Sequence, residues 1–164
     1  IVQTEEMKPK PRAALRELAG LHRRQWSFER RRGELIAGLC EAAAGWDILL
    51  LGHAARPAAG RGPVVLVAPP AGAPETALDV SHAIARALGT QLVAVALPGA
   101  TSAADESLTW ADETELLRWL SRASAAAVVV DAGAGPFQRQ AQLRQLVEVA
   151  RCPVVVLGAA SALA

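Results

Sequence analysis

Tyrosine is absent from this 164-residue chain, and four Trp and two Phe are its only aromatic residues. A core must therefore be assembled from Ala, Val and Leu, the small and branched side chains that fill the space between helices and a sheet. Cysteine is scarce. Cys40 and Cys152 stand far apart in apolar surroundings without the paired spacing of a zinc or redox motif, which predicts two buried free thiols and a reducing, cytoplasmic setting. An excess of charge is missing too: 17 basic against 16 acidic residues leave net +1. No field of one sign draws nucleic acid or an anionic membrane. Long hydrophobic runs are also lacking, since Ala125 to Val130 and Pro153 to Ala160 fall well short of the ~20 residues of a bilayer span. Direct membrane insertion is not expected. The chain opens on Ile1 with no charged start leading into an apolar stretch, so no signal peptide is read and a processed fragment is expected.

What is present is apolar material in quantity. Hydrophobic residues make up 52% of the chain and charged residues 20%, a globular composition. The length suits one compact domain, or one complete unit with a fragment of another. Charge is uneven along it: residues 1–62 hold 11 basic and 7 acidic side chains (+4), and residues 63–164 hold 6 and 9 (−3). Between them Ala58 to Pro63 reads Ala-Ala-Gly-Arg-Gly-Pro, a linker in composition. Two units follow, a partial one over 1–60 and a nearly complete one over 61–164.

The second unit alternates strands and helices. Val64 to Ala68 is short and wholly apolar, the signature of a strand covered on both faces, and Pro69 and Pro70 end it. A helix is expected from Pro74 to Leu88, with Gly89 past its end, and a strand from Gln91 to Leu97. Thr101 to Ser107 reads as loop and Leu108 to Trp110 as a stunted strand. Asp112 and Glu115 have capping-box spacing before a helix running to Ala123. Ala126 to Val130, Phe137 to Arg151 and Val154 to Leu157 complete the series as strand, helix and strand. Strands separated by helical stretches imply right-handed parallel crossovers, hence a doubly wound α/β fold with a mostly parallel sheet and helices on both faces. The first unit reads as part of the same plan: strand Ile1 to Thr4, helix Pro11 to Arg24, strand Trp26 to Glu29, helix Glu34 to Ala44 and strand Trp46 to Gly52. Setting Glu34 on Glu115, an offset of 81, pairs Leu35 with Leu116, Leu39 with Leu120, Ile48 with Val129 and Gly52 with Gly133.

Val64 to Leu97, with its helix text Glu-Thr-Ala-Leu-Asp-Val-Ser-His-Ala-Ile-Ala-Arg-Ala-Leu-Gly-Thr, resembles the opening of a universal stress protein domain. The closing Arg151-Cys152-Pro153-Val154-Val155-Val156-Leu157 resembles that family's last strand. The resemblance covers residues 63–160, and residues 1–56 resemble the middle of a second copy. It implies an adenine-nucleotide-α-hydrolase-like fold and a degenerate tandem member with a truncated first repeat. In the ATP-binding branch of the family the first strand ends in an Asp that contacts nucleotide. That place is held here by Pro69, which offers no side-chain acceptor. The branch's glycine-rich phosphate loop corresponds to Asp131-Ala132-Gly133-Ala134-Gly135-Pro136-Phe137, and its later Gly-Ser or Gly-Thr place falls near Gln140-Ala141. Neither matches, and Asp131 would repel a phosphate beside it. The resemblance therefore implies a stress-response domain that has lost ATP binding.

No catalytic constellation or metal cluster can be assembled. Gly-x-Ser-x-Gly does not occur, and His22, His53 and His82 share no useful spacing. Arg30-Arg31-Arg32, with Arg23, Arg24 and Lys8, reads as a solvated face ahead of a site for phosphate or an acidic partner, and Trp46, Trp110 and Trp119 as residues of the sheet margins or between the halves whose indole N–H groups meet water or a carbonyl. The expectation is a non-enzymatic regulatory or interaction domain without a cofactor, with a protein partner. The alternative is a nucleotide or small-molecule site in the crevice after Val64–Ala68 and Ala126–Val130, walled by Pro69, Ala71, Gly72, Gly133 and Gly135. The family's last strand commonly pairs across a two-fold axis. Because the first repeat lacks its own such strand, a homodimer between chains is expected, with Val154, Val155, Val156 and Leu157 near the axis.

Overall fold

The computed structural model describes residues 35–43, 45–52, 62–69, 71–96 and 106–159. The expected elements Ile1 to Thr4, Pro11 to Arg24 and Trp26 to Glu29, the Arg30–Arg32 run, His22, His53 and Pro70 lie outside them. In chain order the elements are α1 (Leu35–Ala43), β1 (Ile48–Leu51), β2 (Val64–Ala68), α2 (Glu75–Leu88), β3 (Leu92–Ala96), β4 (Glu106–Thr109), α3 (Glu113–Leu120), β5 (Ala127–Asp131), α4 (Gln140–Ala150) and β6 (Val154–Leu157). The strands form one six-stranded sheet in the order β1-β6-β5-β2-β3-β4. Every neighbouring pair is parallel except β1 with β6. The doubly wound α/β expectation is met.

Two apolar layers sandwich the sheet, and strand alternation assigns each side chain to one of them. Val64 and Leu66 of β2, with Leu92, Ala127, Val129, Val155 and Leu157, pack under Ala77 and Ala85 of α2. Val65 and Val67, with Val128, Val130, Val154 and Val156, face α1, α3 and α4 through Ile36, Cys40, Leu116, Leu120, Leu143 and Leu146. An all-apolar strand such as β2 is stable only because helices close both of its faces. Burying each such Val or Leu contributes on the order of 1.5–3 kcal/mol.

Local chemistry sets the ends of the helices. Past α2, Gly89 adopts φ 63° and ψ 37°, and the N–H groups of Gly89 and Thr90 donate to the Arg86 and Ala85 carbonyls at 3.2 and 2.9 Å, a Schellman stop. At the start of α3 the Asp112 carboxylate accepts from Glu115 N–H at 2.8 Å, while Glu115 accepts from Ala111 N–H rather than from the cap residue itself. α3 ends at Leu120, three residues before the expected Ala123, because Ser121 to Ala123 turn back onto the Leu117 and Trp119 carbonyls. α4 begins at Gln140 rather than Phe137, since Phe137 is needed in the core and is fully buried. The polar Glu106 and Ser107, expected in a loop, belong to β4, where parallel pairing with Val93 and Ala94 outweighs their weak strand preference.

The expected open last edge is corrected. β6 is bracketed on both sides, by β5 in parallel and by β1 in antiparallel register, with Ile48 opposite Leu157 and Leu51 opposite Val154. Val154, Val155, Val156 and Leu157 are all buried and present no free edge to a second chain. An unpaired apolar edge leaves a row of backbone donors and acceptors unsatisfied. Here Ile48–Leu51 fills that place from within the same chain. α1 packs on α4 on the same side of the sheet. That arrangement is what a two-fold axis through the β1–β6 pair would generate. A step of 107 residues carries Ile36 onto Leu143 and Ala43 onto Ala150, all four buried, and Ile48–Leu50 onto Val155–Leu157. The offset of 81 sets Ile48 on Val129 of β5 instead.

Candidate functional site

In an open α/β sheet, ligands sit at the carboxyl ends of the strands where successive crossovers pass to opposite faces. Here that point lies between β2 and β5, which are adjacent and parallel: α2 leaves β2 on one face and α4 leaves β5 on the other. The expected wall residues fall in the two loops that leave these strand ends.

The loop after β2 folds tightly on itself. Pro69 is buried, its carbonyl accepts from Gly72 N–H at 2.9 Å, and Gly72 takes φ 92°, a conformation glycine reaches without a Cβ clash. Ala71 is exposed at the turn.

The loop after β5 is built around Asp131. Its Oδ1 accepts from Gly133 N–H at 2.8 Å, an Asx turn, and its backbone carbonyl accepts from Gly135 N–H at 2.8 Å. Ala132 N–H donates to the Leu157 carbonyl at 2.9 Å and ties the loop to β6. A Cβ on Gly133 would lie 3.3 Å from Asp131 Oδ1, and one on Gly158, which follows β6, would lie 3.2 Å from the same oxygen. A Cβ on Gly135 would come within 2.5 Å of the Asp131 carbonyl oxygen, so only glycine fits this buried position. Gly133 is exposed. The N–H groups of Ala132, Gly133 and Gly135 are thus all engaged by the protein's own oxygens, and the loop carries a carboxylate.

Beyond this loop Phe137 fills the core beneath, and the start of α4 is closed by Gln142. Its Oε1 accepts from Arg139 N–H at 3.1 Å, and its Nε2 donates to Glu113 Oε2 at 2.9 Å, joining the beginnings of α4 and α3. Neither role of Gln142 was legible from spacing alone. Its place in the first turn of an amphipathic helix was the available signal. The Asp-x-Gly text at Asp131 is likewise an Asx-turn signal.

The tryptophans separate. Trp110 and Trp119 pack together with ring centroids 5.5 Å apart, half-buried against the layer under α3 and α4. The Trp110 indole Nε1–H is buried and meets no hydrogen-bond acceptor among the described residues. Trp46 stands 63% exposed beside β1. Cys40 and Cys152 are buried and form no disulfide, and burial pushes the Cys152 thiol up to about 11. Among the described residues no three His, Cys, Asp or Glu side chains gather as metal ligands, and no helix is long and apolar enough to cross a membrane.

The fold is shared with solved structures. The chain is similar to the functionally unknown protein PA1789 from Pseudomonas aeruginosa PAO1, with TM-score 0.51 and 11% identity over 95% of this chain and 79% of that one. A candidate universal stress protein from Pseudomonas aeruginosa UCBPP-PA14 aligns with TM-score 0.49 and 12% identity, over 95% and 80%. No protein-family model matches the chain, and neither does any curated protein. At these identities the likeness speaks for architecture alone: an α/β sheet with helices on both faces.

Proposed function

We propose that this chain is a non-catalytic, universal-stress-like regulatory or interaction domain that has lost ATP binding and acts by engaging a protein partner. One observation carries the reading: in the loop after β5 the amides of Ala132, Gly133 and Gly135 are engaged internally. A phosphate cradle needs free backbone N–H groups converging on an empty position. Ala132, Gly133 and Gly135 give theirs to Leu157 and Asp131, and the Asp131 carboxylate repels the phosphate such a loop would hold. Pro69, at the end of β2, adds a buried ring where nucleotide recognition would call for an acceptor. The α1–β1 pair is read as the remnant of a first repeat, a reading supported by the two-fold relation to α4 and β6. The buried thiols of Cys40 and Cys152 suit a reducing, cytoplasmic compartment.

Calorimetric titration and thermal shift with ATP, ADP and AMP test this directly. No heat and no shift at micromolar to low millimolar nucleotide are expected. Binding of any of the three at micromolar affinity would overturn the proposal.

A second reading, a small-molecule site in the crevice between the ends of β2 and β5, is favoured by the divergence of α2 and α4 to opposite faces there. Burial of Pro69 and Phe137 speaks against an enclosed pocket of useful depth. A fragment screen observed through amide shifts of Gly72 and Gly133 separates the two readings, since shifts confined to those loops would support the second.

A further inference from the structure

We draw no further inference here: the strongest candidate, the exposed apolar edge of the sheet at β1 around Trp46, Ile48 and Leu50, carries nothing, because nothing among the described residues shows what covers it.

Discussion

β1 and β2 are almost interchangeable as text, Ile-Leu-Leu-Leu against Val-Val-Leu-Val-Ala, yet they live in different surroundings. All five residues of β2 are buried, whereas Ile48 and Leu50 of β1 are 52% and 62% exposed and only Leu51 is fully enclosed. The difference lies in what lies above each strand rather than in the strands themselves. β2 has helices on both faces, with α2 packed directly on it; β1 has α1 on one face and no described helix on the other. An apolar run therefore reports that a strand needs cover, and topology decides how much it receives.

The sharpest way to break this contrast is a charge. Leu66→Asp in β2 buries an unpaired carboxylate and is expected to abolish cooperative unfolding, whereas Leu50→Asp in β1 leaves a measurable transition; circular dichroism melts of the two variants decide it. Truncation draws the same line within one strand. Leu51→Ala should cost about 2–5 kcal/mol in urea titrations and its neighbour Leu50→Ala less than about 1 kcal/mol. Equal losses at the two positions would mean that the outer face of β1 is as well covered as the inner.

At the β5 end, Gly135→Ala forces a methyl to within 2.5 Å of the Asp131 carbonyl and should cost roughly 1–3 kcal/mol, read as a lowered urea midpoint at constant slope. Titration gives a smaller effect. Because the Cys152 thiol is held up to about 11 from an ordinary 9.0, the folded state keeps its proton while the unfolded state loses it. Stability is therefore full below about pH 9 and falls as pH rises towards 11, at most by about 1.4 kcal/mol per pH unit. Cys152→Ala should flatten that slope in melts recorded across the range. Smallest is a gain: Arg151 stops α4 with φ 52°, a left-handed conformation that costs a residue with a Cβ, so Arg151→Gly is expected to stabilise by up to about 1 kcal/mol and raise the melting temperature by a few degrees.

Of the parallel series, β2, β3, β5 and β6 were legible because each strand is short, apolar and set between Pro, Gly or capping residues, as at Pro69, Gly89 and Asp112, whereas the polar start of β4 was not. Its element ends moved where residues took up other contacts: Phe137 with the core, Ser121 to Ala123 with the carbonyls of the preceding turn. The pairing of β1 with β6 was not legible. Antiparallel addition of an edge strand leaves no local mark, and the repeat register at 81 pointed to β5. In the site, the glycines and the Pro at the two strand ends were found from the strand order, which puts a crevice there, and from the family resemblance. Their engagement was not, because whether Gly133 N–H is free depends on the rotamer of Asp131.

The antiparallel partnership at the sheet edge also sets an order of events during folding and synthesis. β2 meets β3 with Val64 opposite Leu92, only 28 residues on, while β1 meets β6 with Ile48 opposite Leu157, 109 residues on. Closing the longer loop costs more chain entropy, and no part of it can begin before β6 itself exists. The earliest described strand to emerge from the ribosome is thus the one whose partner emerges last. Until then an unpaired Ile-Leu-Leu-Leu segment travels with the nascent chain, the kind of segment that chaperones hold and that aggregates when they do not.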